Sequence, residues 1–267
     1  MAWLKWGAIA LATFYITVVG ALWMGQSRFI YPALQSQSAL PDGFAEVTIT
    51  TADGIALRSF YREADAGQRT LVFFHGNSGT LTGSAMATRP LAEQGIGLLL
   101  AEYRGYAGHA GEPSEDGLYR DGDAAMAWLA EQGIPLRRTI VMGNSLGTGV
   151  ASEMALRHQP AALILSAPFT SLPDTASANL PWLPVHWLMQ DRFASKEKLP
   201  QLTMPILIQH GTADHLVPFE QGLALSQTNP KAEFQRFEGI GHGLAFERAS
   251  GEARARWIAQ LEVGEGP

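Results

Sequence analysis

The stretch that decides the fold is Thr139-Ile140-Val141-Met142-Gly143-Asn144-Ser145-Leu146-Gly147, followed by the small-residue run Val150-Ala151-Ser152-Glu153-Met154-Ala155. A short apolar run without alternation reads as a strand buried on both faces, and the segment after it reads as a helix. Gly-x-Ser-x-Gly between such a strand and helix is a nucleophile elbow, a tight turn that holds a serine hydroxyl above the carboxyl ends of a parallel sheet. Both glycines have a mechanical reason. The serine sits in strained backbone, and a side chain at Gly143 or Gly147 would collide with neighbouring chain where the strand reverses into the helix.

Outward from this turn, the same pattern recurs. Leu71 to Phe74, Ile96 to Ala101, Ala162 to Leu165, Ile206 to Gln209 and Glu233 to Phe237 are further buried-strand runs, separated by helical stretches such as Glu115 to Gln132 and Ala245 to Leu261. Ahead of them, Val47 to Thr50 and Ile55 to Tyr61 flank Asp53-Gly54, a hairpin signal. The expectation is an α/β fold: a mostly parallel, doubly wound sheet with an antiparallel start and helices on both faces.

In open parallel sheets the site lies at the carboxyl ends of strands. Asp214 follows the strand Ile206 to Gln209 and its turn, and His242 follows the last strand in Gly239-Ile240-Gly241-His242-Gly243. Ser145, Asp214 and His242 therefore form a candidate triad, in the chain order Ser, Asp, His. A serine hydroxyl needs a base to attack a carbonyl, imidazole supplies it near neutral pH, and a carboxylate on the far ring nitrogen fixes the tautomer. The backbone N–H groups of Leu146 and of Asn77, in the loop His75-Gly76-Asn77-Ser78-Gly79, are the candidate oxyanion donors. His75 is expected to organise that turn, and His109 is read as a loop residue, with a place in the pocket lining as the lesser alternative. Asp116, Asp121 and Asp123 are read as helix-start acids, with Asp191 the rival to Asp214.

Between Ala167 and Leu202, five prolines interrupt an apolar, aromatic segment. Residues 168–202 are accordingly expected to form a cap-like insertion whose Trp182, Trp187 and Phe193 line an apolar substrate pocket. The N-terminus differs from the rest: Trp6 to Gly25 carries no charge, with Trp3, Trp6, Trp23, Phe29 and Tyr31 near its ends. About 20 apolar residues suffice to cross a hydrocarbon core as a helix, and aromatic ends suit its interfaces. Residues 1–28 are read as a membrane anchor, 29–45 as a linker and 46–267 as the catalytic domain. A cleaved signal peptide is the competing reading, disfavoured by the length of the run and by the poor cleavage tripeptide Val18-Val19-Gly20. The free amino terminus tips the orientation towards a domain outside the cytoplasm.

The 267 residues suit one large domain, and the net charge of −6 with scattered basic residues argues against a nucleic-acid partner. With no cysteine there is neither a disulfide framework nor a thiolate site. No metal or organic cofactor is implied.

The chain resembles the α/β-hydrolase superfamily, and within it the membrane-anchored serine hydrolases related to the abhydrolase-domain protein depalmitoylases and their bacterial relatives. The resemblance rests on Phe74-His75-Gly76-Asn77, Tyr103-Arg104-Gly105-Tyr106 and Gly111 to Leu118, then Ser145-Leu146-Gly147 and Ala167 to Ser171. His210 to Asp214 with Val217-Pro218, Gly241-His242, and Arg28 to Pro32 after the anchor complete it. Glu102, where relatives usually carry aspartate, is a departure. The resemblance implies cleavage of an ester or thioester of a small-molecule, lipid or acylated substrate. A serine peptidase of the same fold and a non-catalytic membrane scaffold are the alternatives.

Overall fold

The computed structural model describes residues 2–261, so the first residue of the expected anchor and the last six of the expected catalytic domain lie outside the described residues. The chain begins with α1, Ala2–Ile30, an uninterrupted apolar helix long enough to cross a membrane. Strands β1, Ala45–Thr50, and β2, Ala56–Arg62, form the expected hairpin. Gly54 occupies its turn at φ +84°, a conformation that favours glycine.

Alternation follows: β3 Thr70–Phe74, α2 Leu81–Ala92, β4 Gly97–Ala101, α3 Glu115–Glu131, β5 Thr139–Asn144, α4 Leu146–His158 and β6 Ala162–Ser166. Three short helices, α5 Leu172–Asn179, α6 Val185–Leu188 and α7 Ser195–Lys198, precede β7 Ile206–Gly211, α8 Phe219–Ser226, β8 Ala232–Phe237 and α9 Arg248–Gln260. The eight strands form one sheet in the order β1-β2-β4-β3-β5-β6-β7-β8. The β1–β2 and β2–β4 pairs are antiparallel and the others parallel. The mostly parallel α/β sheet with an antiparallel start, expected from the alternation, is the one observed.

The apolar runs are continuous because the sheet is covered on both sides. Val72, Phe74, Val141, Leu163, Leu165 and Ile208 join Met126, Val150 and Met154 under α3 and α4. Their neighbours Leu71, Phe73, Leu98, Ile140, Met142 and Ile164 join Leu91, Trp257 and Ile258 under α2 and α9. Thr80, Ser114 and Ser171 start α2, α3 and α5 by accepting from the N–H groups of Gly83, Gly117 and Asp174.

Several local expectations differ from the structure. The final helix begins at Arg248, because His242–Phe246 forms a separate 3-10 turn and Glu247 is extended. Asp121 is not a helix-start acid: it is buried and paired with Arg104 at 2.8 Å, which also reaches Asp53 in the hairpin turn. The segment after α1 lacks regular structure but is fastened down. Tyr31 is buried, Leu34 O accepts from Ala107 N at 2.8 Å, and Ser38 O accepts from Arg58 at 3.0 Å.

Candidate active site

Ser145 stands between β5 and α4 at φ +50° and ψ −121°, a region that residues with a side chain rarely occupy. The surroundings hold it there. Ser145 N donates to Ser166 O at the end of β6, 2.9 Å away. A Cβ on Gly143 would lie 2.2 Å from Gly147 O, and one on Gly147 would lie 2.1 Å from Phe74 O. Glycine at both positions lets β5, α4 and β3 approach closely enough to lift the hydroxyl above the sheet.

His242 Nε2 lies 2.9 Å from Ser145 Oγ, and His242 Nδ1 lies 2.8 Å from Asp214 Oδ2. A carboxylate accepts, so the hydrogen sits on Nδ1 and Nε2 is free to accept from the serine hydroxyl. The loops carrying Asp214 and His242 are tied together: Thr212 N donates to Phe237 O and Ala213 N to Ile240 O, both at 2.9 Å. A Cβ on Gly211 would meet Ile240 O at 2.2 Å, so the close approach of the two loops also needs glycine.

Asp214 is buried, which alone would raise its pKa. Hydrogen bonds from His210, His242 and the Val217 N–H overcome that and hold the carboxyl well below the usual carboxylate range. His210 was not singled out from the sequence as a partner of this acid. It is fully buried with Nε2 3.3 Å from Asp214 Oδ2 and 3.0 Å from Val217 O. The signal available in the sequence was its place at a strand end, four residues before the acid.

The loop after β3 crosses beside the serine. A Cβ on Gly76 would be 3.3 Å from Ser145 Cβ. Among the described residues, neither the Asn77 N–H nor the Leu146 N–H has an internal acceptor, and Leu146 begins α4. The loop is braced from behind: Tyr106 donates to Asn77 O at 2.9 Å and Tyr103 to His75 O at 3.1 Å. His75 organises the turn, with Nδ1 2.7 Å from Gly76 O and Nε2 2.7 Å from buried Glu102, a partner that sequence reasoning missed.

The remaining candidates lie elsewhere. His109 is bonded through both ring nitrogens, to Arg58 N and Tyr106 O. Asp123 pairs with Arg157 and His158, and Asp191 accepts from Tyr31 and Glu115 N. Among the described residues no group of three or more His, Cys, Asp or Glu is disposed to hold a metal ion.

The expected aromatic pocket is corrected by the structure for Phe193 and Trp187, whereas Trp182 lines an apolar cavity against α1. Phe193 is fully buried in the core, edge-on to Tyr119 and against α4, where a Cβ on Gly149 would meet its ring at 2.6 Å. Trp187 is 91% exposed, and Trp182 packs against α1. The three point in different directions because the prolines break the insertion into short pieces.

This fold, with its elbow, places the chain in the α/β-hydrolase superfamily. The sequence model of the family described as serine aminopeptidase, S33, matches residues 65–197. An uncharacterized protein of Mycobacterium tuberculosis is 35% identical over 260 residues, covering 92% of both chains. Alpha/beta hydrolase domain-containing protein 17B of Xenopus laevis is 34% identical over 193 residues, which are 68% of this chain and 63% of that protein. Among solved structures, the Pyrococcus furiosus esterase Pf2001 superposes with a TM-score of 0.70 at 18% identity, over 88% of this chain and 99% of that one. At that identity the likeness speaks to the fold alone.

Proposed function

We propose that the protein is a serine hydrolase that cleaves carboxylic ester or thioester bonds at a membrane through an acyl-enzyme. The observation that carries this reading is the hydrogen-bonded relay from Ser145 Oγ through His242 to Asp214. Ser145 Oγ bonds to the substrate carbonyl carbon while its proton passes to His242 Nε2. Asp214 stabilises the imidazolium, and the Leu146 and Asn77 N–H groups take the oxyanion. The tetrahedral intermediate expels the alcohol or thiol, which leaves with the proton from Nε2. Water then repeats the sequence on the acyl-enzyme and restores the serine. The apolar helix α1 supports attachment to a membrane.

A fluorophosphonate probe on the purified full chain tests the nucleophile, and an acyl-length series of esters and thioesters tests the class. The expected result is labelling of the wild type, its loss in Ser145→Ala, and turnover of the esters. Labelling that survives Ser145→Ala overturns the nucleophile, and turnover confined to acetyl and butyryl esters overturns a lipid-like substrate. The aminopeptidase description of the matching family favours one second reading, a peptidase using the same residues. Cleavage of peptide anilides in preference to esters by the same preparation would select it.

A further inference from the structure

Helix α1 is not a loose tether. Tyr15 donates to Trp182 O at 3.0 Å with its ring edge-on to the indole, and Gln26 bonds to Leu188 O and Gln190 N. Just past the helix end, buried Tyr31 donates to Asp191 at 2.7 Å. These contacts are spread along the helix, so α1 and the insertion meet along a line. A cavity of about 440 Å³ lies between them, walled by Leu22, Trp23 and Phe29 on one side and Leu180, Leu183 and Leu188 on the other. The amide of Gln26, at its edge, is engaged by backbone.

The lengths set a constraint. From Tyr15 to Ile30 the helix advances about 22 Å, and the part before Tyr15 spans about 20 Å, at ~1.5 Å per residue. The charge-free run Trp6 to Gly25, about 28 Å long at that rise, just matches the hydrocarbon core of about 30 Å, so a bilayer crossed by α1 takes in Tyr15 with the level of Trp182 and reaches the turn before Gln26. The insertion suits that level. Residues 180–190 hold no Asp, Glu, Lys or Arg, while Leu180, Trp182 and Trp187 are exposed. Of the nine N–H groups in residues 180–190, those of Leu180, Leu183, Val185, Trp187, Leu188, Met189 and Gln190 donate within the protein, Trp182 and His186 have no internal acceptor among the described residues, and Pro181 and Pro184 carry no N–H.

We propose that residues 180–190 dock into the bilayer beside α1 and that the cavity between them takes an acyl chain of a membrane lipid. This rests on the membrane attachment in the proposed function and is independent of the catalytic role of Ser145. The chain would then lie with its insertion immersed, rather than hang in water from a single span.

The absence of cysteine makes single-site labelling clean. Spin labels at Trp187→Cys, Ile9→Cys on α1 and Glu131→Cys on the far side of the domain are compared in the full chain in phosphatidylcholine vesicles. Collisions with a water-soluble nickel chelate and with oxygen report their depth. Labels at 187 and 9 are expected to meet the chelate severalfold less, and oxygen more, than the label at 131. A label at 187 that matches 131 while 9 is lipid-buried overturns the docking and leaves the anchor standing. Labels at 9 and 187 that both match 131 overturn the anchor as well. For the cavity, photoactivatable acyl phosphatidylcholine should crosslink to residues 176–189. Filling the cavity by Ala176→Trp or, from the other wall, Leu22→Trp, in whichever variant keeps the wild-type melting temperature, should cut that crosslink severalfold. Crosslinking left unchanged overturns the acyl occupant.

Discussion

Ser145 is held in its strained conformation by glycines rather than by side chains, so the elbow is sensitive to a single methyl group. Gly147→Ala places a Cβ 2.1 Å from Phe74 O, and backbone on both sides cannot move independently. The expected outcome is a loss of about 3 kcal/mol or more in chemical denaturation, far above an ordinary surface Gly→Ala change. At the same scale, Ser145→Ala should lower kcat by roughly 10⁶-fold and Asp214→Asn by roughly 10⁴-fold, with folding retained, as read by steady-state ester hydrolysis. Asp214 also makes a pH prediction. Its folded-state pKa is depressed below the unfolded value of about 4, so its contribution to stability is present above about pH 4 and is lost as pH falls through the folded pKa. The stability difference between wild type and Asp214→Asn should therefore narrow in acid, measured by denaturant titration across pH. That Ser145, Asp214 and His242 meet was legible because each follows a recognisable strand and strand ends of one parallel sheet share an edge. Glu102 and His210 were not, since their roles are defined by partners: Glu102 faces a histidine 27 positions away, and His210 braces an acid that its own loop folds back.

At the scale of elements, the alternation of buried strands and helices was readable because a sheet covered on both faces needs uninterrupted apolar strands. The insertion was not, because its prolines and aromatics specify irregularity without specifying direction. Phe193 shows the consequence: its aromatic character suits a pocket or a core equally, and only the packing of Gly149 and Tyr119 around it makes it core. Phe193→Ala should cost about 3–5 kcal/mol in denaturation and leave the acyl-length preference unchanged, the opposite of what a pocket residue would do. The loop carrying Asn77 depends on an element behind it. Glu102→Ala leaves His75 Nε2 buried without its partner, at a cost of about 1–3 kcal/mol. Through the displaced loop it should lower kcat more than it raises KM, as measured on a short-chain ester.

Across the whole molecule, α1, the insertion and the sheet act together. Removing residues 2–27 takes away the long apolar helix but leaves Tyr31 and everything from β1 onward, so the truncated chain should move from the detergent phase to the aqueous phase on phase separation. Loss of fluorophosphonate labelling on that truncation would show that α1 also supports the site. The sequence by itself determined the sheet, the elbow and the residues of the relay, because strand burial, turn sterics and the order of strand ends are local or repeat along the chain. Tertiary structure alone decided where Trp182, Trp187 and Phe193 point, which groups brace His75 and Asp214, and that α1 lies along the insertion. Those outcomes depend on which surfaces meet after the chain has folded, and contacts between residues as distant as Tyr15 and Trp182 leave no periodic trace in either segment.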